Sequence, residues 1–163
     1  MSVIPADIAP VFRNAGWFED RRVAVDTAVP MYHPSFAVLT ELGGVVLRNP
    51  APSVVSIAFR HVNDAAPDVA EWEAVLGTKI VGVAEQDGGH AELYLTGRGQ
   101  VLGFSLIHPA CWLVGETFGS ALQALTKGRR SKPMLLPGQE GVALYGTRFH
   151  RGDAGVLGPA DLA

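Results

Sequence analysis

Residues 84–104 read AEQDGGHAELYLTGRGQVLGF, and the stretch carries two glycine-rich knots, Asp87-Gly88-Gly89 and Gly97-Arg98-Gly99. Glycine-rich loops bind phosphate when their backbone N–H groups point at the anion from the start of a helix. Neither knot opens a helix here. Each lies between runs with the alternation of β-strands: KIVGVAE (79–85), AELYLT (91–96) and QVLGFSL (100–106). Asp-Gly and Gly-x-Gly supply the positive φ angles that tight hairpin connections demand. No GxxxxGK[ST] motif occurs in the chain. The knots are therefore turns, and the stretch predicts three strands joined by short reversals.

The same reading extends outward. VVLRNP (45–50) and SVVSIAFR (53–60) are β-branched runs broken by Asn49-Pro50-Ala51-Pro52, the pattern of a hairpin. Residues 5–15 predict a first helix, with Ile8, Val11 and Phe12 at helical spacing and Gly16 to end it. A second covers 34–42, where Phe36, Leu39 and Leu42 share a face and Gly43-Gly44 stop the helix. A third covers 68–77, with Val69, Trp72, Val75 and Leu76 inward and Gly77 as cap. Asp68, Glu71 and Glu73 stand in its first turns, at the positive end of the helix dipole. The last covers 117–127, striped by Phe118, Ala121, Leu122 and Leu125 and stopped by Gly128. RRVAVDT (21–27) reads either as a short edge strand or as an extended connection. Helices and strands interleave without a βαβ rhythm, which predicts a single α+β domain with a central, mainly antiparallel sheet flanked by helices.

At 163 residues the chain fits one domain. Apolar residues make up 48% and charged residues 18%, a globular balance, with mean hydropathy +0.20. The net charge of −3 offers no overall basic field to attract nucleic acid or anionic lipid. The N-terminus lacks the layout of a signal peptide and no apolar run is long enough to span a membrane, so a cytoplasmic protein is expected.

The chemistry-bearing residues are sparse. His33, His61, His90, His108 and His150 form no HxH, HxxxH or HExxH pair, so neither a metal nor a cofactor is expected. The single cysteine, Cys111, follows His108 by three positions, but a nucleophile pair needs spatial contact and an orienting third group; a core cysteine is the simpler reading. No GxSxG or SxxK motif is present. The charge distribution says more. Between residues 64 and 92 the acids are Asp64, Asp68, Glu71, Glu73, Glu85, Asp87 and Glu92, with Lys79 the one Lys or Arg. Between 127 and 153 the sign reverses: Lys127, Arg129, Arg130, Lys132, Arg148 and Arg151 stand against Glu140 and Asp153. The acidic stretch reads either as a solvated face or as a surface that meets a basic partner.

Four segments, NAGWFEDRRV (14–23), VLTELGGVVL (38–47), 76–104 and VGETFGSALQALTKG (114–128), resemble in order the SUKH superfamily of bacterial immunity proteins, and most closely its third family. The motifs are Ala15-Gly16-Trp17, the helix end Glu41-Leu42-Gly43-Gly44, Gly99 with Val101, and Gly115. One departure is that Glu19-Asp20 precede Arg21 where the family carries Pro-Gly. The resemblance implies a SUKH-type α+β fold over residues 1–128, no catalytic centre, and a role in neutralising toxins such as nucleases and nucleic-acid deaminases. Residues 129–163 lie past it as a basic, Gly/Pro-rich extension in which VALYGTRF (142–149) predicts one more strand.

The reading is an immunity protein that binds a cognate toxin domain stoichiometrically and occludes its active site. The expected partner-binding residues are Glu71, Glu73, Glu85, Asp87 and Glu92. A general interaction or scaffold module of the same fold is the alternative. A small enzyme using Cys111 or a cleft of histidines and acids is a third reading.

Overall fold

The computed structural model describes residues 1–63 and 66–163. Among them, α1 (Ala9–Asn14) and α2 (Pro34–Leu42) precede the hairpin β1 (Val46–Ala51) and β2 (Val54–Val62). Then come α3 (Val69–Leu76), β3 (Ile80–Gln86), β4 (Ala91–Thr96), β5 (Val101–Ser105), β6 (Cys111–Gly115) and α4 (Phe118–Thr126). The tail adds β7 (Lys132–Met134), β8 (Gly141–Leu144), β9 (Thr147–His150) and a closing 3₁₀ turn, Pro159–Leu162. β1 to β7 form one seven-stranded sheet in chain order, and every neighbouring pair is antiparallel. The fold is α+β with a single meandering sheet at its centre.

Both glycine knots are turns within this meander. Asp87, Gly88 and Gly89 take φ of 54°, 67° and 94° between β3 and β4, a left-handed path that glycine follows without steric cost. Between β4 and β5 the Gly99 N–H donates to the Thr96 carbonyl at 2.9 Å.

Alternation along β4 shows how the sheet is covered. Leu93 and Leu95 face a core shared with Phe12, Leu39, Leu42, Phe59, Leu122 and Leu125, so α1, α2 and α4 pack on that side. Tyr94 faces the other way, into a core with Trp72, Leu76, Leu102, Phe104, Met134 and Leu162. That side is roofed by α3 and the C-terminal residues.

Several details differ from the sequence expectation. α1 starts at Ala9 rather than at residue 5, because Pro10 in its first turn suits a helix start and not an interior. Of the two readings of residues 21–27 the connection holds, since they form no strand. Val75 is 40% exposed, since a short helix packs through a narrow stripe, and here Trp72 and Leu76 fill it. β6 was not anticipated. VALYGTRF forms the separate two-stranded unit β8–β9, turning at Tyr145 and Gly146 with φ of 55° and 70°. The strand that the tail gives to the main sheet is instead β7, paired with β6.

Candidate functional site

The expected partner-binding carboxylates occupy different surroundings. Glu71 is exposed in the first turn of α3. Two residues on, Glu73 is half-buried: its Oε2 accepts the Ile80 N–H at 2.9 Å and its Oε1 lies 3.4 Å from Lys79 Nζ. Glu73 thus ties α3 to the start of β3. At the far end of the strand, Glu85 is paired with Arg60 of β2. Asp87 Oδ1 accepts the N–H groups of Val55 at 2.8 Å and Ser56 at 3.2 Å, pinning the β3–β4 turn to the start of β2. Asp64, named in the acidic stretch, lies outside the described residues.

Glu92 is a correction. It is 2% exposed and accepts the Tyr94 hydroxyl at 2.6 Å. Cross-strand register explains its burial: Glu85 pairs with Glu92 and Glu92 with Phe104, so the three share one face of the sheet, and the row passes from half-buried Glu85 to Phe104 in the roofed core. Alternation alone cannot distinguish a roofed face from a wet one.

The acids also fail to form one patch. Glu73 contacts Ile80 and Asp87 lies seven residues further along β3 and its turn, a span of roughly 23 Å for extended backbone. Glu71 and Glu73 therefore belong to one end of the strand, and Glu85 and Asp87 to the other.

The α3 end carries a cleft of about 470 Å³ whose lining includes Ala28, His61, Val69, Glu73, Lys79 and Tyr94. The loop over residues 26–33 reaches the cleft at Ala28. Asp26 Oδ1 accepts the Ala28 N–H at 2.9 Å, and its Oδ2 lies 3.0 Å from His61 Nδ1. The Ala28 amide, and then His61, hold the Asp26 carboxyl below its ordinary value. At the other end of the loop, buried His33 caps α2: its Nδ1 accepts the Ser35 N–H at 3.2 Å while its Nε2 donates to the Lys79 carbonyl at 3.1 Å. That arrangement fits the neutral imidazole, and burial lowers the His33 pKa. Met31 and Tyr32 project from this loop into solvent. Sequence reasoning missed them. Their signal was a large apolar pair held between Pro30 and Pro34, where no regular element can form.

Cys111 and His108 do not form a hydrogen-bonded pair. Cys111 is buried, which pushes its thiol well above the ordinary value. His108 turns elsewhere, donating from Nε2 to the Ala143 carbonyl at 2.9 Å. Among the described residues no group of three or more His, Cys, Asp or Glu side chains could hold a metal ion. No helix among the described residues is long and apolar enough to cross a membrane.

The recurrent motifs do structural work around Glu41. Trp17 Nε1 donates to Glu41 Oε1 at 3.1 Å. Arg21 donates to the carbonyls of Glu41 at 2.7 Å and Gly43 at 2.8 Å, closing the end of α2. The turn before Arg21, lacking Pro-Gly, is made by Asp20 at φ 60°, and the Arg21 N–H donates back to Phe18 at 3.2 Å. Residues 4–128 match the family model of the SUKH-3 immunity protein. The chain belongs to that family. The match takes in α1 to α4 and β1 to β6 and stops where the tail begins. Neither a curated protein nor a solved structure matches the chain. Membership in the SUKH-3 family supports an immunity function for the fold described above.

Proposed function

We propose that this SUKH-3 protein neutralises a cognate toxin domain by stoichiometric binding that occludes the toxin's active site. The observation that carries the reading is the family match across residues 4–128. The surface adds support: Glu73 lines the cleft beside α3, Glu71 is exposed in the first turn of the same helix, and Glu85 and Asp87 provide negative charge at the opposite end of β3. Toxins that act on nucleic acid, nucleases and deaminases among them, carry basic clefts that follow phosphate. An acidic surface of preset shape covers such a cleft, steers the encounter and selects the partner. Glu71, Glu73, Glu85 and Asp87 are the proposed contacts. Glu92, being buried, is not among them.

The test is to produce the chain together with the toxin domain encoded beside it. A one-to-one complex that protects the cell is expected. Failure of the pair to associate removes the reading.

A further inference from the structure

Met31 and Tyr32 are 79% and 85% exposed. Apolar residues scattered singly on a surface need no explanation. This adjacent pair does, because the loop that carries it is clamped on both sides. Upstream, Asp26 holds His61 and the Ala28 amide, the Val29 N–H donates to the Asp26 carbonyl at 3.0 Å, and the Val29 side chain is buried. Downstream, the His33 N–H donates to the Pro30 carbonyl at 3.0 Å, its imidazole holds Lys79, and Pro34 opens α2. A loop anchored by buried residues at 29 and 33 cannot fold its crown inward, so the two side chains stay on display.

A rigid loop bearing an aromatic and a methionine has the properties of a binding anchor. Backbone ordering is complete before the partner arrives, which removes part of the cost of association. Tyrosine contributes a large amphipathic surface with few torsions to freeze, and methionine adapts to the hollow it enters. The charge on this side of the molecule is mainly acidic, with Arg60 beside Asp26 and His61 as a counter-charge. Asp26 belongs to the loop, Asp68, Glu71 and Glu73 to the start and body of α3, and Lys79 is the one Lys or Arg among the described residues lining the cleft between them.

We infer that the 26–33 loop and the acidic flank of α3 together seat the partner. Met31 and Tyr32 enter an apolar hollow, and Glu71 faces a basic rim around it. The inference rests on the reading above that the partner is a toxin domain. It commits to a protein surface of that chemistry: positively charged, with a cavity able to take an aromatic ring.

The probe is the purified toxin domain encoded beside this chain, titrated against wild type, Met31→Ala, Tyr32→Ala, Tyr32→Phe and the Met31→Ala/Tyr32→Ala pair. Binding should weaken about 30-fold or more for Tyr32→Ala and further for the pair, as for central interface anchors. Tyr32→Phe keeps the ring and should bind within several-fold of wild type. Melting temperatures should be unchanged, because neither side chain is buried. Wild-type binding with undiminished affinity in the double variant overturns this surface while leaving the proposed function standing. Absence of a wild-type complex overturns the function, and this surface with it.

Discussion

At Glu92 the fold places a carboxylate where a reader of the strand expects solvent. The Tyr94 hydroxyl donates to it at 2.6 Å, so Glu92→Ala removes a buried acceptor, and about 1–3 kcal/mol of stability should be lost. Glu92→Gln keeps an acceptor of similar size and should lose less. Urea unfolding of the two variants measures the difference, and equal midpoints for both and for wild type would mean the bond contributes nothing. Gly103 makes a second case. It stands opposite Trp112, and a Cβ there would lie 2.0 Å from the indole Nε1. Gly103→Ala therefore forces a bulky ring from its place and should cost on the order of 1–3 kcal/mol. His33 gives a pH dependence of definite sign. Its pKa is lowered in the fold from the ordinary 6.5, so above that value both states are neutral and stability is full. As pH falls below it, the unfolded chain takes up the proton first and stability declines until the folded imidazole titrates as well. His33→Asn retains an N-cap acceptor and should flatten the slope between pH 7.5 and 5.5. An unchanged slope would assign the acid sensitivity elsewhere. None of these roles was legible from residue type, because each depends on what lies across the sheet.

Elements with strong local signals were the legible ones. The 34–42 helix matches its expected span, bounded by a proline at its start and a glycine pair at its end. The hairpins around Asp87-Gly88-Gly89 and Gly97-Arg98-Gly99 follow from turn chemistry alone. β6 and β7 were not legible for a physical reason. CWLVG is covered on both faces, so it shows no alternation, and KPM carries a proline that normally demotes a strand. An edge tolerates that proline, because its missing N–H has no partner strand to serve. The consequence is an experiment on the tail. Beyond Gly128 lie β7 and the side chains of Met134, Leu136 and Leu162, which close the core around Leu102, Phe104 and Leu113. A chain ending at Gly128 should melt at lower temperature, without a sharp transition, and bind a hydrophobic dye. A cooperative transition at the wild-type temperature would show residues 129–163 to be an appendage after all.

Across the whole molecule, the acidic stretch that looked continuous in sequence is divided by the length of β3. The α3 end combines the exposed charge of Glu71, a cleft and two exposed apolar side chains. Charge acts there mainly on the encounter rate, so Glu71→Lys should slow association with the toxin domain several-fold at low salt. The deficit should shrink as salt rises and screening shortens the reach of the field; stopped-flow rates at two ionic strengths test this, and identical rates would exclude steering from α3. The fold class and the family were legible from the order of short motifs. The proposed partner-facing surface was not, since a loop's exposure is set by what clamps it. The most direct measurement of the central claim is inhibition of the purified toxin domain by increasing amounts of this chain. A stoichiometric blocker predicts activity falling in proportion and reaching zero at one equivalent. Full inactivation by a small fraction of an equivalent, or undiminished activity at excess, would contradict it.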